Sequence, residues 1–133
     1  MQAAKLSAFI GARRQTPFEW GGSDCCLLGA DWLLEVSGRD FAHDLRGRYA
    51  SGFGALRRVR ELGFLCVGNL VRARLRQVYR PRLGALALTE KGPLESLLIC
   101  DSAQGCWGQD EAGLVRGPIP PRATFWEAPE CPR

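Results

Sequence analysis

The chain has 133 residues, the size of one ordinary domain, with 46% hydrophobic residues, 24% charged residues and a formal net charge of +4. That composition excludes wholesale disorder, and no apolar run approaches the roughly 20 residues that span a bilayer. Sixteen glycines and eight prolines predict many turns.

Leu6, Phe9 and Ile10 recur at helical spacing and predict a short amphipathic helix that stops before Thr16-Pro17. This opening stretch has no long apolar core followed by an A-x-A site, so no secretory signal is expected. Cys25, Cys26, Cys66, Cys100, Cys106 and Cys131 are therefore expected as reduced thiols, and with no C-x-x-C pair neither a metal site nor a cofactor is expected. Residues 16–22 read as a loop, after which Ser23 or Asp24 caps a second helix. That helix, CCLLGADWLLEV, is apolar on more than one face and should be largely buried, with Gly38 as its C-terminal cap.

Residues 39–50 read as a structured connection. A third helix runs from Ser51 to Gly63 with Arg57, Arg58 and Arg60 on its wet side. In residues 66–80, Val67, Leu70, Val71, Leu75 and Val78 fit a helix while Arg72, Arg74 and Arg76 alternate as on a strand; a helix is expected. After Pro81, short apolar runs at 84–89, 96–100, 105–107, 113–116 and 123–126 predict four or five antiparallel strands, and residues 129–133 a frayed tail. The expectation is one α+β domain over 1–133, with N-terminal helices (1–80) packed on a C-terminal antiparallel β-sheet (81–128).

Charge is unevenly spread. Residues 39–82 hold eleven arginines against Asp40, Asp44 and Glu61, a net of +8, whereas the flanks are net negative. Arginine's planar fork suits carboxylate partners, so Arg57, Arg58, Arg60, Arg72, Arg74 and Arg76 are candidates for docking an acidic protein, with a solvated face as the plain alternative. Aromatic residues do not interleave with these arginines, which argues against a nucleic-acid platform.

The segment Trp20-Gly-Gly-Ser-Asp24-Cys25-Cys26 places a thiol at the start of an apolar helix. There the positive end of the helix dipole favours thiolate over thiol, and unpaired backbone N–H groups of Cys25 and Cys26 are positioned to hold an oxyanion. Cys26 falls about 100° further round the helix and is expected in the core. Trp20 stands beside the glycines as a candidate cleft wall, and Trp32 is expected in the core.

The run W-G-x-x-D-C before a hydrophobic helix resembles the nucleophile segment of NlpC-type, papain-like cysteine peptidases, which cut peptidoglycan stem peptides. Together with Pro17-Phe-x-Trp, Leu45-Arg-Gly-Arg-Tyr49, Gly54-Ala-Leu, Leu83-Gly84, Gly113-Leu and Trp126, it is similar to a compact group of phage and prophage tail-associated proteins. The resemblance implies an NlpC/papain-like fold, Cys25 as nucleophile with Asp24 preceding it, and Gly84-Ala85-Leu86 as a strand opening that usually reads G-D-hydrophobic. It also implies a histidine base at the start of the next strand, where this chain reads Pro93-Leu-Glu-Ser-Leu-Leu-Ile99 and has none. The only histidine, His43, is the remaining candidate base, with Asp44 or Asp40 to orient it. The implied role is a structural component of a phage-type tail tip or baseplate, made in a bacterial cytoplasm and held in the virion among other tail-tip and hub proteins. The alternative is an active cysteine peptidase or amidase acting on peptidoglycan.

Overall fold

A computed structural model describes residues 2–89 and 95–130. Among the described residues four helices precede a six-stranded sheet, so the fold is α+β, as the order of periodicities predicts. The expected frayed tail lies largely outside the described residues, although Pro129 carbonyl oxygen accepts a hydrogen bond from Arg39.

Helix α1 (Gln2–Arg13) buries Leu6 and Ile10, and its chain turns away before Thr16-Pro17. Helix α2 (Leu27–Ser37) is the central one. Leu27, Leu28 and Trp32 are fully enclosed, and the Trp32 indole donates to Gly84 carbonyl oxygen at 2.8 Å, which ties α2 to the sheet. Gly38 ends α2 in the left-handed region (φ 73°), where a residue without Cβ meets no penalty. Buried Asp31 is paired with Arg13 of α1 and with Arg46, and Arg46 also grips Asp40. These pairs join both helices to residues 39–50 and give that aperiodic segment its structure.

Helix α3 (Gly52–Glu61) is capped by the Ser51 hydroxyl, which accepts from Gly54 N–H at 3.0 Å. Residues 66–80 correct the expectation of one helix. Helix α4 (Val67–Arg74) ends where Leu75 N–H donates to Val71, and Arg76–Val78 forms strand β1. Arg72 and Arg74 of the alternating run belong to the helix and only Arg76 to the strand, so the helical spacing holds through Val71 and gives way at Leu75. Pairing with residues 125–127 accounts for the strand half, and Glu127 accepts from both Arg76 and Arg82 and holds this edge of the sheet.

The remaining strands are β2 (Leu86–Leu88), β3 (Leu97–Cys100), β4 (Gly105–Asp110), β5 (Gly113–Pro118) and β6 (Thr124–Glu127). Every pairing is antiparallel, in the order β1-β6-β2-β3-β4-β5, so the expected four or five strands are six, the extra one being β1. One face presents Leu86, Leu97, Ile99 and Trp126 to the helices and forms the main core. The other face carries a smaller cluster of Ala87, Cys100 and Cys106 beneath Leu98, Ile119, Ala123 and Phe125. No helix among the described residues is long and apolar enough to cross a membrane.

Candidate functional site

Cys25 lies one residue past the loop that enters α2, and the start of β3 is bonded directly to it: Leu97 N–H donates to Cys25 carbonyl oxygen at 3.0 Å. The loop is built by hydrogen bonds rather than by a core. Glu19 and Ser23 exchange a pair of backbone bonds, and the Ser23 hydroxyl is spent on Pro17 carbonyl oxygen at 2.6 Å. Of the two expected caps, it is therefore Asp24 that serves. Its Oδ1 accepts from Cys26 N–H at 3.0 Å and Leu27 N–H at 2.9 Å, and its Oδ2 from Gly21 N–H at 3.0 Å and the Tyr49 hydroxyl at 2.6 Å. Four donors keep this carboxylate buried at 1% exposure without leaving a lone pair unmet.

Gly21 fixes where this loop sits. It has φ 80°, and a Cβ there would stand 2.5 Å from Tyr49 carbonyl oxygen. Its own carbonyl accepts from Gly47 N–H at 2.8 Å, so the loop and residues 45–49 are laced together around Asp24. Trp20, half-buried, stacks edge-on against Phe18 with centroids 4.7 Å apart and against Tyr49 at 6.5 Å, a wall beside the thiol loop.

The Cys25 thiol is brought down to about 7, chiefly by hydrogen bonding from the Cys26 side chain, with the Ser96 side chain and Cys25's own N–H helping; burial and the Asp24 charge oppose the shift. Regular α2 begins only at Leu27, so both cysteines stand in the irregular turn before it. Cys26 is pushed well above its ordinary value, chiefly by Cys25 and by burial, and its Sγ donates to Glu95 carbonyl oxygen at 3.2 Å.

Behind Cys26 lies an apolar cavity of about 40 Å³ lined by Leu33, Tyr49, Val67, Val71 and Leu97 among others, so this thiol faces inward, as expected, while Cys25 does not line it. Glu95 is turned away from Cys25. Its Oε1 accepts from Gly68 N–H at 3.0 Å and so serves the first turn of α4.

Three expectations change. The oxyanion pair is not available as expected, because Cys26 N–H is spent on Asp24. His43 is exposed in the 39–50 connection and is not among the groups acting on Cys25. Its intended orienters are taken: Asp40 by Arg46, and Asp44 by Arg74 in a two-pronged pair at 2.8 Å on each prong. Both carboxyls are held below their ordinary range, each chiefly by its arginine.

The basic block is also divided. Arg58, Arg74 and Arg76 are bound to Glu61, Asp44 and Glu127, and Arg58 further donates to Asp44 carbonyl oxygen at 2.9 Å. Arg57, Arg60 and Arg72 are exposed; Arg57 lies over the Phe53 ring and Arg72 over Trp126.

Tyr49, Glu95 and Ser96 are the participants that sequence reading did not assign. Tyr49 had a visible signal in its place within the Leu45–Tyr49 motif. No cluster of three metal-ligating side chains occurs among the described residues. Comparison with curated proteins and with solved structures found no match. A family model described as a domain of unknown function, DUF6950, matches residues 2–128. Covering nearly the whole chain, that match makes it a member of the DUF6950 family.

Proposed function

We propose that the chain is a structural component of a phage-type tail tip or baseplate, built on an NlpC-like, papain-type fold that has lost its catalytic base. One observation carries the loss: Leu97 N–H at the start of β3 donates to Cys25 carbonyl oxygen at 3.0 Å, and the residue just before it, where the resemblance puts the base, is Ser96. A serine hydroxyl donates a hydrogen bond to a thiolate, but it neither takes the thiol proton near neutral pH nor returns one to a leaving amine. General acid–base transfer of that kind is worth about 10²–10⁴-fold. The occupied Cys26 N–H weakens oxyanion binding as well.

The tail setting rests on the sequence resemblance, and the exposed Arg57 and Arg60 beside Phe53 and Leu65, both 75% exposed, together with exposed Arg72 of α4, are the surface offered to neighbouring tail proteins. The test is to assay gradient-purified particles from the strain that encodes the chain. The chain should be present in stoichiometric amount, and an Arg57→Glu/Arg60→Glu/Arg72→Glu variant that folds normally should be depleted from them. Particles that lack the chain would overturn the tail role.

A second reading, a cysteine peptidase or amidase on peptidoglycan, draws on the Cys25 thiol near 7, about half ionised at neutral pH. It requires a base from a partner chain. Stem-peptide cleavage that disappears in Cys25→Ala would establish it.

A further inference from the structure

The outer face of the sheet holds a second pair of thiols, remote in sequence from Cys25. Cys100 ends β3, and Cys106 of β4 stands directly opposite it in the ladder. Cys100 spends its backbone on the other neighbour: its N–H donates to Ala85 carbonyl oxygen at 2.8 Å, and its own carbonyl accepts from Gly84 N–H at 2.8 Å. The next rung toward β4 is Asp101 N–H to Gly105 carbonyl oxygen at 3.0 Å. These bonds fix the phase, and Cys100 and Cys106 form a non-hydrogen-bonded pair, in which Cα atoms stand about 4.5 Å apart and side chains come closest.

A disulfide needs Cα atoms about 4.4–6.8 Å apart with both Cβ atoms on one side, and opposite residues of a ladder meet the second condition automatically. Both thiols are buried, at 0% and 3% exposure, in one cluster with Ala87, covered by Ile119 and Ala123 of the β5–β6 connection. Burial pushes the Cys100 thiol up to about 12, and the charge of Cys106 adds to the push, as a close neighbour's does.

We propose that Cys100 and Cys106 are a modification site, in which an oxidant of the peroxide class joins them as a cross-strand disulfide that staples β3 to β4. One thiolate attacks a peroxide oxygen, the O–O bond breaks, and a sulfenic acid and hydroxide result. The second sulfur then attacks the sulfenic sulfur, the S–S bond forms and water leaves. In sum, two thiols and one hydrogen peroxide give one disulfide and two waters, the protein losing two electrons. A small oxidant suits the site because the 119–123 segment covers it. Burial keeps both thiols protonated, so closure is slow, and its rate rises about tenfold per pH unit below pH 9, following the thiolate fraction.

The test uses the full chain treated with hydrogen peroxide at pH 8, its free thiols then blocked, and cleaved before Asp101 without reduction. The Cys100 and Cys106 peptides should remain joined and part on reduction. The oxidised chain should melt a few degrees higher, reversibly with dithiothreitol. The same linkage should form in Cys25→Ser, and Cys100→Ser should show neither linkage nor rise. Blocking label on both Cys100 and Cys106 while Cys25 is fully oxidised, or a link from either to another cysteine, would overturn the proposal.

Discussion

Cys26 has one proton and two acceptors, Glu95 carbonyl oxygen and the Cys25 sulfur. When Cys25 is ionised that proton turns toward it, which is the largest single reason its thiol lies near 7. Cys26→Ala should therefore raise the midpoint of Cys25 alkylation against pH by a unit or more; an unchanged midpoint would assign the shift to Ser96 and Cys25's own N–H instead. Asp24 is the second residue whose role is sharply testable. Asp24→Ala strips the cap of α2 and strands a buried Tyr49 hydroxyl, so urea unfolding should show a loss of about 2–4 kcal/mol. Tyr49→Phe removes only one partner and should cost about 1–2 kcal/mol. At this scale the sequence displayed the Asp-Cys pair and the missing histidine plainly. It did not display Tyr49 or Ser96 as partners, since those contacts close over 25 and 71 positions of chain and are set by packing.

Among the elements, the loop that enters α2 is the most constrained. Gly21→Ala forces a positive φ on a residue with a Cβ and drives that atom against Tyr49 carbonyl oxygen. It should lower stability by about 2–4 kcal/mol and abolish the depressed Cys25 titration; a variant that keeps both would refute the laced-loop account. The helices were legible because their caps are local: Gly38, Ser51 and the stop before Pro17 all sit where the sequence signals them. The 66–80 segment was not, because its second half becomes a strand by pairing with β6, about fifty residues on, where Glu127 also clamps Arg76 and Arg82. Likewise the arginine run looked like one basic face, whereas Asp44 and Glu127 take part of it back into the fold.

For the whole molecule, pH acts through groups of opposite sign. Asp40, Asp44, Asp101 and Glu127 are all held below their ordinary values, each chiefly by an arginine partner. Their contributions are full above the unfolded carboxylate range and fade as pH falls through the lowered values, so the urea midpoint should drop between about pH 5 and 2. At the alkaline end, the Cys25 contribution is full above 9 and is lost as pH falls through about 7, whereas Cys100, raised to about 12, withdraws its contribution as pH climbs above 9. The α+β layering followed from the switch of hydrophobic period near Pro81, while the sheet order, with β6 returning between β1 and β2, carried no such local mark. The claim on which the functional account turns is that Ser96 stands where a base would have to act. Its most direct measurement is product release from peptidoglycan stem peptides, followed by mass spectrometry for the native chain, Cys25→Ala and Ser96→His. The account predicts no products from the first two and measurable hydrolysis only where histidine is restored. Products from the native chain that vanish in Cys25→Ala would contradict it.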